Sequence, residues 1–332
     1  EYHIPPADVV IDPKQEDCGY PYKQICGAVV AYKLIQELFS MDTKQEQTEK
    51  KQILQELLTF AALATICDVM ELKDENRILV KEGLRVMEHT TNLGLKALLM
   101  VNGLEQKTLS PYHAGFVIGP CLNATGRLDT AGRALELFDA SDWKEAVNFA
   151  TDLKALNESR KQMTEDGVKA AIEQVEASLL EDDVLVVYLP DCHESLAGII
   201  AGKVRERYHK PTFVLTKGEE GIKGSGRSIE AYSMYDEMNR CKELFSKFGG
   251  HKLAAGLTLA NDNVEEFRRV LNKNSTLEEA DFQEIVHIDV PMPLGLISRE
   301  FIKEMELLEP FGVGNPKPLF ARKDLSLISG NR

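Results

Sequence analysis

Apolar residues recur at helical spacing through most of the first half of the chain, and the rhythm changes to short strands only after about residue 180. The opening Ala7 to Pro13 is a short apolar run closed by proline and reads as a buried strand. Helices are predicted from Gly27 to Phe39, from Gln52 to Ile66 (Leu54, Leu57, Leu58, Ala61, Ala62 and Thr65 on one face), from Asn76 to His89 and near 92–101. Another is opened by Ser110-Pro111, where serine suits the N-cap and proline the first turn. Asn123 and Gly126 permit a turn from which Arg127 projects, with the next helix starting at Asp129. This half shows so little strand that a parallel sheet is expected to lie mainly outside it.

From Trp143 to Leu180 the pattern is charged and almost free of glycine and proline, predicting one long helix; two helices broken at Gly167 is the other reading. Val184 to Leu189 then reads as a strand, Ser195 to Tyr208 as an amphipathic helix and Thr212 to Leu215 as a second strand. Such a unit favours a parallel pair, with ligands gathering where strands end and helices begin. A glycine-rich segment, Gly218 to Arg227, follows, and Phe248 to Leu259 closes the domain. Glu284 to Val290 and Pro318 to Ser326 alternate as strands of a further small β unit.

The 332 residues, 43% hydrophobic and 28% charged, suffice for two or three domains with cores of their own. No run approaches the roughly 20 apolar residues of a membrane helix, and no secretory signal opens the chain, so a cytoplasmic protein away from membranes is expected. The six cysteines are scattered without a C-x-x-C pair, which argues against a disulfide framework or zinc knuckle. A net charge of -14 excludes coating nucleic acid by bulk attraction. It leaves room for a local channel: residues 203–227 hold seven basic side chains against three acidic ones, either a binding stripe or a solvated helix face.

The densest candidate chemistry is Lys223-Gly224-Ser225-Gly226-Arg227-Ser228, answered by Phe248-Gly249-Gly250-His251. Glycines let backbone approach an anion, Ser225 and Ser228 offer hydroxyls, and Arg227 offers a planar fork for two phosphate oxygens. Taken alone, the segment also fits a flexible hairpin loop. His251 is a general acid/base, a phosphate donor or an interior histidine; His193, at a helix start, could serve an anion. Asp68 sits in an apolar run at a helix end, where a buried carboxylate must be paired, hydrogen-bonded or metal-bound. Asn123 and Arg127 fit either a helix cap or a site. His3, His89, His113, His209 and His287 read as structural.

Taken in order, several motifs resemble the RecJ family of single-stranded-DNA-specific exonucleases in the DHH phosphoesterase superfamily. They are Ile11-Asp12-Pro13-Lys14 with Tyr20-Pro21, Thr65 to Val69 with Glu75-Asn76-Arg77, Asn123 to Leu128, His193-Glu194 with Gly198-Ile199, Gly224 to Ser228, Gly249-Gly250-His251 with Ala254-Ala255-Gly256, and Glu309 to Pro316. The resemblance implies an α/β chain: the C-terminal part of a DHH-type parallel-sheet domain (1–142), a connecting helix (143–180), a DHH-associated substrate-binding domain (181–280) and the start of an OB-fold (281–332). It implies hydrolysis of single-stranded DNA from a 5′ end in recombination and repair, with two Mn²⁺ or Mg²⁺ ions activating water. Helicases of the RecQ type and single-strand binding proteins are the partners it suggests.

By the same resemblance Asp68 ligates metal and is catalytic, and His251 donates near the scissile phosphate. Arg127, Ser225, Gly226 and Arg227 hold the 5′ phosphate; Asn123, His193, Ser228, Gly249 and Gly250 complete the substrate site. Cys192 and Ser195 depart from the tryptophan and glycine usual around that histidine. The Asp-His-His tripeptide that names the superfamily does not occur in the sequence. The resemblance places it just upstream of Glu1, so most metal ligands are expected there, and the chain by itself is expected to bind nucleic acid weakly with negligible hydrolysis. Two other readings stand beside this one: a relative cleaving short oligonucleotides or cyclic dinucleotides, and an inactive nucleic-acid-binding scaffold.

Overall fold

The computed structural model describes residues 6–44, 46–128, 132–218, 221–260 and 263–324, with backbone alone for Arg127 and Leu128. Two compact units emerge. The first comprises residues up to 126, the described residues 132–155 and the C-terminal part from 287; the second is built from 156–286 together with Arg127 and Leu128.

The first unit is helical: α1 (Gly27–Met41), α2 (Gln47–Cys67), α3 (Asp74–Met87), α4 (Leu93–Val101), α5 (Pro111–His113), α6 (Gly119–Leu128) and α7 (Gly132–Phe138). Its core gathers the apolar stripes of α2 to α4, with Ala62, Val80, Met87, Leu95, Leu98 and Ile118 fully buried. Ala7 to Pro13 forms no strand: Val9 and Ile11 are exposed, and no described strand lies alongside to take up the hydrogen bonds. The expected turn at Asn123 is also absent. Residues 111–128 run as α5, a π-helical turn over Ala114–Ile118 and α6. The π turn passes over the end of α2, where a Cβ on Gly119 would lie 2.5 Å from the Cys67 sulfur. Gly126, the glycine of the expected turn, lies inside α6, where a Cβ would meet nothing within 4 Å.

One helix, α8 (Trp143–Ser178), runs unbroken through Gly167. A Cβ there would stand 2.5 Å from Ile200 Cδ1, so close helix contact explains the residue. The second unit then lays down β1 (Leu185–Tyr188), α9 (Ala197–Tyr208), β2 (Thr212–Gly218), β3 (Gly221–Arg227), α10 (Met234–Arg240), β4 (Phe245–Gly250), β5 (Ala254–Leu259) and α11 (Val264–Asn274). The sheet order is β1-β2-β3-β5-β4, parallel between β1 and β2 and antiparallel elsewhere. One face packs Phe213, Leu215, Ile222 and Leu257 with Met234 of α10 and Phe267 of α11. The other packs Val187 and Val214 against Ile200, Ala201 and Val204 of α9 and Ala171 and Val175 of α8.

The glycine-rich segment is thus not a hairpin loop but β3, the middle strand. Beyond α11 the chain returns to the first unit through β6 (Val290–Pro291), α12 (Arg299–Glu306) and β7 (Phe320–Ala321). The two longer strands expected here shrink to a parallel pair of two residues each. Ser326 lies outside the described residues.

Candidate nucleic-acid interface

Strand periodicity divides the glycine-rich signature between the two faces of the sheet. Gly224, Gly226 and Ser228 are buried and turn to the α10–α11 side, whereas Lys223, Ser225 and Arg227 turn to the α9 side. On the buried side the glycines serve packing: a Cβ on Gly224 would come within 2.3 Å of Leu215 Cδ2, and one on Gly226 within 2.6 Å of Met234 Sδ. The Ser228 hydroxyl, expected to meet phosphate, donates instead to Tyr232 O at 2.7 Å.

Beyond the reach of α9, the same face opens into a groove of about 500 Å³. Register builds its floor. Ser225 pairs with Gly256, and Gly256 with Gly249, so three adjacent strands present one hydroxymethyl group and two hydrogens in a row. Here the glycines serve no packing: a Cβ on Gly249 would meet nothing within 4 Å, and one on Gly256 only Gly224 O at 4.0 Å. The next row reads Thr216, Lys223, Thr258 and Lys247 across β2, β3, β5 and β4. Glu194 and Ser195, at the entry to α9, complete the wall, and Glu194 pairs with Lys223 at 2.8 Å. The groove therefore combines a floor with no side chain larger than serine, hydroxyls, two lysines and the positive end of a helix. A sugar–phosphate backbone needs such a surface.

Arg227 lies on the opposite side of the Ser225 row from Lys223, partnered in the sheet by Thr212 and Ala254. Its guanidinium donates to Gly226 O at 2.8 Å and rests on α9, where a Cβ on Gly198 would stand 2.9 Å from Nη2. Gly250 ends β4, paired with Ala255, and a Cβ there would fall 2.4 Å from Ala254 O. His251 follows it, exposed, with its backbone N–H donating to Ala254 O. His193 does not line the groove. It borders a second pocket, about 340 Å³, with Met163, Gly167 and Cys192. There Nδ1 accepts from Ser195 N at 3.3 Å and lies 2.7 Å from Ser195 Oγ.

Asp68 and Asn123 belong to the first unit. Asp68 is the C-cap of α2 and is exposed, not buried, so the expected desolvation does not arise. Its neighbour Cys67 is half-buried, and that burial, aided by the Asp68 charge, pushes the thiol up to about 11. Asn123 is exposed on α6, and the side chain of Arg127 lies outside the described residues. A divalent ion needs several oxygen donors. Among the described residues no three histidine, cysteine or carboxylate side chains converge, so Asp68 offers one ligand and the residues present do not by themselves make a metal site.

The loop after Asp68 is anchored by the Glu309–Pro316 motif. Leu72 N donates to Val313 O at 2.6 Å, Gly312 packs on Leu72, and Arg77 donates to Leu307 O and Glu309 O at 2.9 and 3.1 Å. Asn315 Nδ2 closes the motif on Leu308 O and Pro310 O, both at 2.9 Å. Two of the basic side chains in 203–227 serve the fold: Arg207 meets Glu176 at 3.2 Å, and Lys210 donates to Leu180 O and Asp182 O at 2.7 Å. Sequence reasoning missed Thr216, Lys247 and Thr258, which join the groove through cross-strand register alone, and it named Gly256 in a motif without giving it a role.

Residues 181–275 match the DHHA1 domain, and residues 288–331 match the RecJ OB domain. A DHHA1 domain followed by an OB domain of this type defines the class. The single-stranded-DNA-specific exonuclease RecJ of Bacillus subtilis is 36% identical over 95% of this chain, and that of Escherichia coli 33% over 96%. A crystal structure of RecJ with Mn²⁺ from Thermus thermophilus superposes with a TM-score of 0.80 at 29% identity over 97% of this chain and 46% of that one. The corresponding Mg²⁺ complex gives 0.75, over 91% and 46%. Over nearly its whole length the chain is similar to RecJ, and it carries a DHHA1 domain and a RecJ OB domain. It spans 39% of the B. subtilis relative and 58% of the E. coli one. Among the described residues no helix is long and apolar enough to cross a membrane.

Proposed function

We propose that the chain is the strand-holding part of a metal-dependent exonuclease that degrades single-stranded DNA from its 5′ end, in the cytoplasm, in recombination and repair. The observation that carries this is the groove floor of Ser225, Gly256 and Gly249, bare of bulk and walled by Lys223 and Lys247. A single strand lies along it with phosphates toward the lysines and hydroxyls. Arg227, in the row beside Ser225 on the side away from Lys223, takes the terminal phosphate, whose extra charge rewards a guanidinium more than an internal phosphate does. His251, His193, Asn123 and Arg127 serve the same strand, and Asp68 contributes one ligand to Mn²⁺ or Mg²⁺, which supplies activated water when bound. RecQ-type helicases and single-strand binding proteins are the partners such an enzyme would meet.

Fluorescence anisotropy tests the reading with single strands carrying a 5′ phosphate or a 5′ hydroxyl, and with duplex. The 5′-phosphorylated single strand should bind best, and Arg227→Ala should erase its advantage over the hydroxyl form. Equal affinity for single strand and duplex, or an unchanged preference in Arg227→Ala, would refute it.

A further inference from the structure

We infer that Glu194 is a displaceable counter-ion: it occupies the Lys223 ammonium until a backbone phosphate takes the ammonium over. The inference rests on the groove being the strand site proposed above. Glu194 Oε2 lies 2.8 Å from Lys223 Nζ, and both side chains are partly exposed on the groove wall. An independent observation marks this row as a place for a ligand oxygen. Thr216 is the register partner of Lys223, lines the same groove, is 0% exposed, and its hydroxyl has no hydrogen-bond partner. A buried hydroxyl left unpaired is costly, and a phosphate oxygen held by Lys223 would satisfy it. Thr258 continues the row, and Lys247 approaches from the far strand, about 10 Å from Lys223 at ordinary strand spacing.

Lysine suits the exchange because its ammonium is a point charge on a flexible stem and can swing between acceptors. Trading one carboxylate for one phosphate leaves the number of ion pairs constant, so seating a strand gains little at this row and releasing it costs little. A ligand without an anionic oxygen at this position would have to break the Glu194 pair with nothing in return. Glu194 therefore selects for phosphate and at the same time weakens the grip on it, as suits a strand that must advance one nucleotide at a time.

The test is a two-residue cycle on the full chain, measuring anisotropy of a fluorescent single-stranded oligothymidylate over a range of salt. Glu194→Gln should tighten binding about twofold to fivefold at low salt, the range spanned by an exposed ion pair. Lys223→Gln should weaken binding, and in that background Glu194→Gln should bring no gain. Equal gains in both backgrounds would mean ordinary long-range repulsion and overturn the inference, as would no gain in either. No binding by the parent would overturn the strand reading itself, and the counter-ion with it. Both residues are on the surface, so circular dichroism should find the four proteins equally folded.

Discussion

Replacing Gly256 by valine separates what the fold needs from what the groove needs. A Cβ at this position has open space, with Gly224 O at 4.0 Å as its nearest neighbour, and the facing Gly249 adds no side chain. Glycine inside a strand costs about 0.5–1 kcal/mol relative to alanine, and β-branched residues favour strands further within a scale of about 1 kcal/mol. Gly256→Val should therefore stabilise the second unit by roughly 0.5–1.5 kcal/mol, a rise of a few degrees in Tm at about 2–4 °C per kcal/mol. Binding should move the other way. The two new methyl groups stand where a sugar–phosphate backbone would lie, lifting it from the Ser225 hydroxyl in the same row; losing that one hydrogen bond to a charged group, about 1.5–3 kcal/mol, weakens affinity roughly 10- to 100-fold. Scanning calorimetry and anisotropy on one preparation read both effects. A variant that binds as the parent does would refute the groove, and one that loses stability would refute the assignment of this glycine to function. The internal control is Gly224→Ala, whose Cβ would meet Leu215 Cδ2 at 2.3 Å and should cost about 1–3 kcal/mol through overpacking.

Glu75 accepts from the Tyr20 hydroxyl at 2.5 Å and pairs with Lys33. Burial works against its carboxylate, but the hydrogen bonds from Lys33 and Tyr20 outweigh it and hold its pKa below the ordinary value. A carboxylate depressed in the folded state stabilises above its unfolded pKa, about 4.3, and loses that contribution as pH falls through the lower folded value. The stability gap between parent and Glu75→Gln should thus be constant near neutrality and close below about pH 4, as urea unfolding at several pH values would reveal. Arg77→Met should cost about 1.5 kcal/mol through the two carbonyls it leaves behind, and limited proteolysis should then cut faster between 307 and 316; an unchanged cleavage rate would rule out the clamp.

The helices are legible in the sequence because their apolar faces repeat at 3.6 residues and are buried as that period demands, as in α2 and α8. The strand-rich unit is legible in its β1–α9–β2 crossover but not in β3. Four glycines among Gly218 to Arg227 depress strand propensity, and only the neighbours Leu215, Met234 and Phe213 reveal why Gly224 and Gly226 are needed. Register defeats sequence reading most completely. Thr216, Lys223, Thr258 and Lys247 come from four strands with no fixed spacing, so no local pattern unites them. The Asn123–Arg127 motif looks like a turn because asparagine and glycine favour one, yet packing of Gly119 on Cys67 carries the helix through. Asp68 reads as buried from its apolar neighbours, although a helix C-cap faces outward even when the preceding turn does not.

The anchoring of the Asp68–Lys73 loop also has a schedule. Arg77 and the Leu307 carbonyl it holds are 230 positions apart, and a chain synthesised at 5–20 residues per second needs roughly 10–50 s to span such a gap. Throughout that interval the turn at Val69, whose left-handed φ of 58° disfavours a β-branched side chain, has neither Val313 nor the carbonyls that Arg77 grips to support it. A segment made late thus finishes a loop begun early, and the carboxylate at that loop's head reaches its final setting only after the whole second unit has left the ribosome's active centre.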